Sequence, residues 1–220
     1  MNMRLLLFVS LIFGLPSIKA QIIGVDVAGN YLYSGQWDRA IQTLNFNRTA
    51  FGTQPLLRYG FSVGTQYRIK REASPFGFSL RYGMVSSVNN FPGRRTVLQL
   101  HQLAIHGQYT MKPIEGRSLY LCFSGGLLST LLLKKIESQY YVYDDQLARA
   151  VGIGPELSAR LYYTCLEKSK LKFSPFLALS FSPFLWSPKT EALINQTSGL
   201  TSNAYTLLTQ VNGGFIIPFN

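Results

Sequence analysis

From Leu56 to Lys70 the chain alternates residue by residue. Leu57, Tyr59, Phe61, Val63, Thr65, Tyr67 and Ile69 hold the odd positions and are nearly all apolar. Arg58, Gly60, Ser62, Gly64, Gln66, Arg68 and Lys70 hold the even ones and are small, polar or charged. A period of two is that of a β-strand with one greasy face and one wet or tightly packed face. Phe76 to Val88 repeats it on the opposite parity, with Phe76, Phe78, Leu80, Tyr82 and Met84 set against Gly77, Ser79, Arg81 and Gly83. Eight such runs follow one another, at 22–33, 56–70, 76–90, 96–112, 119–136, 149–166, 173–187 and 204–219. Each reaches the roughly 9–11 residues that a tilted strand needs to cross a bilayer.

The connections alternate in length. Those at 71–75, 113–118 and 167–172 are short and carry turn residues such as Ser74-Pro75 and Glu115-Gly116. Those at 34–55, 137–148 and 188–203 are long, and only 91–95 breaks the rule. This pattern predicts an all-β fold, an antiparallel up-and-down transmembrane β-barrel of eight strands with both termini on the short-turn, periplasmic side. Closure removes the unpaired edges that hydrocarbon cannot satisfy. A soluble barrel would reverse the faces, apolar inside and polar outside, whereas here the large aromatics share the regular face. Eight strands leave an interior filled by side chains.

Parity then names that interior. Asp26, Arg58, Arg68, Arg81, Glu156 and Arg160 point inward as a charge network, with Ser62, Gln66, Ser79, Ser158 and Gln210. Charges facing lipid near the midplane cost about 2–4 kcal/mol, and mutual neutralisation inside avoids that. The same charges could instead line a path for an ion or small solute.

Residues 1–20 read as a signal peptide: Arg4, the apolar run Leu5 to Leu15, then Ser17-Ile18-Lys19-Ala20 before a cut. The barrel domain occupies 21–220. The formal charge of +11 invites thoughts of nucleic acid, but no dense basic run or binding motif accompanies it. No segment offers eighteen uninterrupted apolar residues for a membrane helix.

Several positions are candidates for chemistry or binding. His101 and His106 share the fourth strand. Alternation slips near Gln102, where apolar residues change from Leu98 and Leu100 to Leu103, Ile105 and Tyr109, and a bulge is expected. His106 could act as base in a barrel enzyme modifying lipid A or phospholipid, but Gly107-Gln108 beside it supplies no nucleophile. Two histidines alone are a poor metal site, and no metal or cofactor is expected. Cys122 and Cys165 lie on neighbouring strands, nearly level if the hairpin folds about Asp144. A disulfide would suit an export compartment, yet parity sets the two on opposite faces unless Pro155 marks a bulge. In the first loop Trp37, Ala40, Ile41 and Leu44 are spaced for one face of a short helix, with irregular chain from Asn45. Either this loop packs over the barrel mouth, or Trp37, Ile41, Leu44 and Phe46 form a partner-binding surface. Arg94, Arg95, Lys134, Lys135 and Arg149 fall at the outer rim, where they can pair with lipopolysaccharide phosphates or stand as solvated charges.

The closing residues Asn212, Gly214, Ile217 and Phe219 place a polar residue, a glycine and two spaced hydrophobics at the end of the last run. With the export signal and the eight runs, they make the chain resemble a small eight-stranded outer-membrane β-barrel protein of the Bacteroidota type. The resemblance departs at Pro218 and the trailing Asn220. It implies that the segment is the signal read by the barrel-assembly machinery. It further implies contact with outer-membrane lipids and a non-enzymatic role, as a structural element or accessory subunit of a secretion, uptake or assembly complex. By position, Phe215, Ile217 and Phe219 face lipid, and the last strand closes on the first near Ile22. A soluble periplasmic lipid-binding barrel would need an apolar interior.

Overall fold

The computed structural model describes residues 20–47, 52–69, 75–114, 118–138, 146–163, 173–184 and 206–218. The signal-peptide expectation, Cys165 and Phe219 lie outside the described residues. Eight strands run in order: β1 (Ala20–Tyr33), β2 (Tyr59–Ile69), β3 (Phe76–Phe91), β4 (Arg94–Met111), β5 (Leu119–Ser138), β6 (Gln146–Tyr163), β7 (Ser174–Phe184) and β8 (Thr206–Pro218). One helix, α1 (Gly35–Asn47), interrupts them after β1. Every strand pairs antiparallel with its sequence neighbours, and β8 returns to β1 to close the barrel. The up-and-down barrel expected from the alternation is the fold.

The faces fall as the alternation requires. Phe61, Val63, Phe76, Leu80, Tyr82, Ile105 and Phe215 are exposed on the outer wall, and Leu157 reaches 65% exposure. A belt of this kind would drive a water-soluble protein to aggregate and is the surface hydrocarbon covers. Aromatic pairs thicken it near the short-turn end, with Tyr67 stacked on Phe78 at 4.5 Å and Phe76 against Tyr109 at 5.4 Å. Among the described residues no helix is long and apolar enough to cross a membrane, so the strands do the spanning.

Between β3 and β4 the connection tightens to two residues. Pro92 takes the first central position and Gly93, at φ 74°, the second, the arrangement of a type II turn. This explains why 91–95 alone departs from the long-loop pattern.

The bulge expected near Gln102 is absent. The β3–β4 register runs unbroken from Phe76↔Tyr109 to Phe91↔Arg94. Leu98, Leu100, Gln102, Ala104 and His106 all point inward, and Leu103 and Ile105 point out. The apparent slip arises because the lumen itself is apolar at this height. Pro155 likewise causes no bulge: it stays in register opposite Leu127, and the β6–β7 ladder begins beyond it at Leu157↔Phe181. There its missing N–H costs nothing to the sheet, and its carbonyl accepts a 2.7 Å bond from Ser182.

Candidate functional site

The lumen has two storeys, and α1 makes the upper one. Ser34 starts the helix as an N-cap, its carbonyl taking the Asp38 N–H at 2.9 Å. Asp38 adds a carboxylate to the first turn, where the helix dipole favours one. Trp37, Ala40 and Ile41 then face down into the barrel, Ile41 with no exposed surface at all. They pack in one cluster with Leu32, Val85, Leu98, Leu100, Leu128, Leu132 and Leu208 from the strands. Burying aliphatic and indole side chains of this size is worth about 1.5–3 kcal/mol each, so the helix is a fixed stopper.

Polar contacts hold the helix in place at several points. Asp38 accepts two bonds from Arg58, from Nη1 at 2.9 Å and Nη2 at 2.7 Å, a fork-to-fork pair. The Asp38 hydrogen bond pushes the Arg58 pKa further up. Gln36 accepts the Leu207 N–H from β8 at 3.1 Å. Asn45 and Gln54 exchange bonds of 2.9 and 2.6 Å, and Gln54 reaches Ser87 on β3 at 2.7 Å.

Two corrections follow. The helix runs on through Asn45 to Asn47, where irregular chain was expected. Trp37 and Ile41 are buried in the mouth and present no surface to a partner, whereas Phe46 at the helix end is 83% exposed. The Leu44 side chain lies outside the described residues.

The lower storey carries the charge. Arg81 donates to Glu156, and His106 Nε2 lies 3.3 Å from the second oxygen of the same carboxylate. Lower still, Arg160 donates to Asp26 at 2.8 Å, and Gln66 adds a bond to the same oxygen at 3.1 Å. The Arg160 guanidinium also lies 4.4 Å from the Phe176 ring centroid, a cation–π contact. Asp26, Arg81, Glu156 and Arg160 therefore form two separate ion pairs in the lumen. Arg58 faces inward too, but its carboxylate comes from α1, which strand parity could not supply. The Arg68 side chain lies outside the described residues.

His106 is the member that sequence reasoning did not connect to Glu156. The cluster needs four strands: β3 sets Arg81 opposite Ala104, β4 carries His106, Gly126 of β5 pairs with both His106 and Glu156, and β6 carries Glu156. Gly126 makes room, because a Cβ there would lie 1.9 Å from the Ile105 carbonyl oxygen. Chemically a His–Glu pair can move protons, but Glu156 is 1% exposed and His106 nearly as buried, leaving no approach for a substrate. His101 points outward instead, its Nδ1 bonded to the Tyr82 hydroxyl at 2.7 Å. Among the described residues no group of three His, Cys, Asp or Glu could hold a metal.

Lys134 is the third correction. Placed at the outer rim with Lys135, it points into the lumen and is 1% exposed, because successive strand residues face opposite sides. Arg94, on the opposite face of its strand from Arg95, is half-buried. Among the described residues the exposed rim cations are Arg95, Lys135 and Arg149. Cys122 faces the lumen opposite Arg160, so the β5–β6 hairpin does not fold about Asp144. A groove of about 650 Å³ opens on the outer wall between Phe76, Tyr109, Phe123, Leu157, Leu179 and Phe181. Its aromatic and leucine walls belong to the membrane belt.

A closed eight-stranded antiparallel barrel with an apolar outer wall and a filled lumen defines a transmembrane β-barrel. The solved structure of Neisserial surface protein A shares that fold, with a TM-score of 0.52 at 11% identity over 91% of this chain and 99% of that one. Ail, the attachment invasion locus protein of Yersinia pestis, crystallised with the heparin analogue sucrose octasulfate, aligns at a TM-score of 0.48 and 8% identity over 91% of this chain and 98% of its own. No protein-family model and no curated protein matches the sequence.

Proposed function

We propose that this chain is an exported, non-enzymatic barrel of the outer membrane, with both termini on the periplasmic side. In this reading it serves as a structural element or accessory subunit of a larger envelope complex. The observation that carries the proposal is the filled lumen. Trp37 and Ile41 stop its upper half, and the Arg81–Glu156–His106 cluster occupies its middle. A pore needs a continuous wet path and an enzyme needs a reachable reactive group; neither is offered by these side chains. What remains available to other molecules is the outer wall, the rim and the loops, the parts of a barrel that most often carry function.

The membrane belt supports the location, and the alternation of short and long connections supports the orientation. Phe46, exposed at the end of a rigidly anchored helix, offers an apolar contact on the long-loop side.

Affinity purification of the tagged protein from cross-linked membranes in mild detergent tests the subunit role. The expected result is one or more envelope proteins recovered at constant ratio and reduced when Phe46 is replaced by serine. A lone barrel in every detergent, unaffected by F46S, would contradict it.

A further inference from the structure

We propose that the outward face of β4, β5 and β6 at the long-loop rim binds the phosphates of lipopolysaccharide. This rests on the outer-membrane reading above. The four strands β3 to β6 span 16, 18, 20 and 18 residues, against 14 for β1 and 11 for β2. Their extra length rises past the barrel mouth as a wall of its own.

On that wall the register brings three cations onto one face. Arg95 pairs with Glu137, Val97 with Lys135, and Leu133 with Arg149, so the three charges step diagonally across adjacent strands. All three are exposed. Among the described residues Glu137 is the carboxylate beside them, 2.6 Å from Lys135 and 3.5 Å from Arg95, so three cations face one anion there.

Position along the strand gives the ligand class. Directly below Arg149 the outward residues of β6 are Val151, Ile153, Pro155 and Leu157, with Val151 67% exposed. Below Lys135 they are Leu133 and Leu131. On β5 and β6 the change from cation to hydrocarbon-facing side chain takes one step, so the charges sit at headgroup height. On β3 and β4 the wall is polar for longer, through Ser86, Gln99 and His101. A ligand matching this surface carries phosphates, a hydrogen-bonding sugar body and acyl chains that descend over the apolar belt. Arg and Lys meet phosphate through charge-assisted bonds.

The test titrates the purified full-length barrel with bis-phosphorylated lipid A, dephosphorylated lipid A and phosphatidylglycerol. Replacing Arg95, Lys135 and Arg149 together by glutamine is expected to weaken bis-phosphorylated lipid A binding by about tenfold or more. Dephosphorylated lipid A should bind the native protein as weakly as that variant binds the phosphorylated form. Glu137→Gln, which releases two cations, should tighten binding severalfold. Lys112→Gln, exposed at the opposite end, should change nothing. Binding indifferent to the triple replacement, or equal for phosphatidylglycerol and both forms of lipid A, would overturn the site. Cell fractionation separates the two levels: recovery of the native protein outside the outer membrane would overturn the location, while the titration still decides the site.

Discussion

Glu156→Gln is expected to cost the folded barrel about 3–5 kcal/mol, the range for removing one partner of a buried ion pair. The substitution keeps the shape of the side chain and takes away its charge. Arg81 is then left buried without the carboxylate it meets, and His106 loses the negative charge 3.3 Å from its Nε2. Replacing Arg81 and Glu156 together by leucine should recover most of the loss, because an apolar pair of similar volume needs no neutralisation. Unfolding in urea from lipid micelles, followed by tryptophan fluorescence, measures both. With Trp186 replaced by phenylalanine, the buried Trp37 alone reports, from the upper lumen. A Glu156→Gln protein within about 0.5 kcal/mol of the native one would remove the cluster from the list of what holds the lumen together.

The second large effect separates two adjacent glycines. Gly214 on β8 lies opposite Ala28 on β1, at the seam where the barrel closes. A Cβ on Gly214 would meet the Val27 carbonyl oxygen at 2.0 Å and the Ala28 Cα at 2.6 Å. Backbone cannot yield by that much without breaking the ladder. Gly213, its neighbour, faces outward, and a Cβ there meets only the Leu177 side chain at 3.9 Å, an ordinary contact. Gly214→Val should therefore abolish the compact, heat-modifiable band of a closed barrel on unboiled gels, while Gly213→Val keeps it. Equal behaviour of the two variants would show that the seam does not depend on this close approach.

That contrast also sharpens the reading of the closing segment. Asn212 and Gly214 face inward and Phe215 and Ile217 outward, as the alternation required. The glycine of the pattern has a local structural reason, room for the first strand, which holds whether or not assembly machinery reads the segment.

The strands were legible because a membrane barrel imposes its two-residue period on every span. Observed boundaries depart from the expected runs mostly at their ends, as with β2, which starts at Tyr59 and not near 56. The lumen was legible only where it is polar. Parity assigns Asp26, Arg81, Glu156 and Arg160 inward because charge cannot face lipid. It has nothing to say when an inward residue is leucine, and Leu98 and Leu100 were for that reason mistaken for a shift of face.

The cause of that apolar upper lumen is α1, whose Trp37, Ala40 and Ile41 spacing was visible but whose destination was not. Partners from different elements were also hidden. Arg58 finds Asp38 on the helix, and Glu156 finds His106 two strands away. Such pairs follow from register and closure, which no single stretch of sequence contains. Lys134 shows the reverse error: height near the rim places it among the lipopolysaccharide-phosphate contacts, although its parity points it inward.

The central claim, that this barrel is sealed and acts through its outside, is tested most directly by electrical recording. Purified full-length protein carrying Trp186→Phe, so that Trp37 is its one tryptophan, should give no current steps at any applied voltage when reconstituted in a planar lipid bilayer, with Trp37 protected from an aqueous quencher in the same preparation. Reproducible conductance steps, or ready quenching of Trp37, would contradict the account.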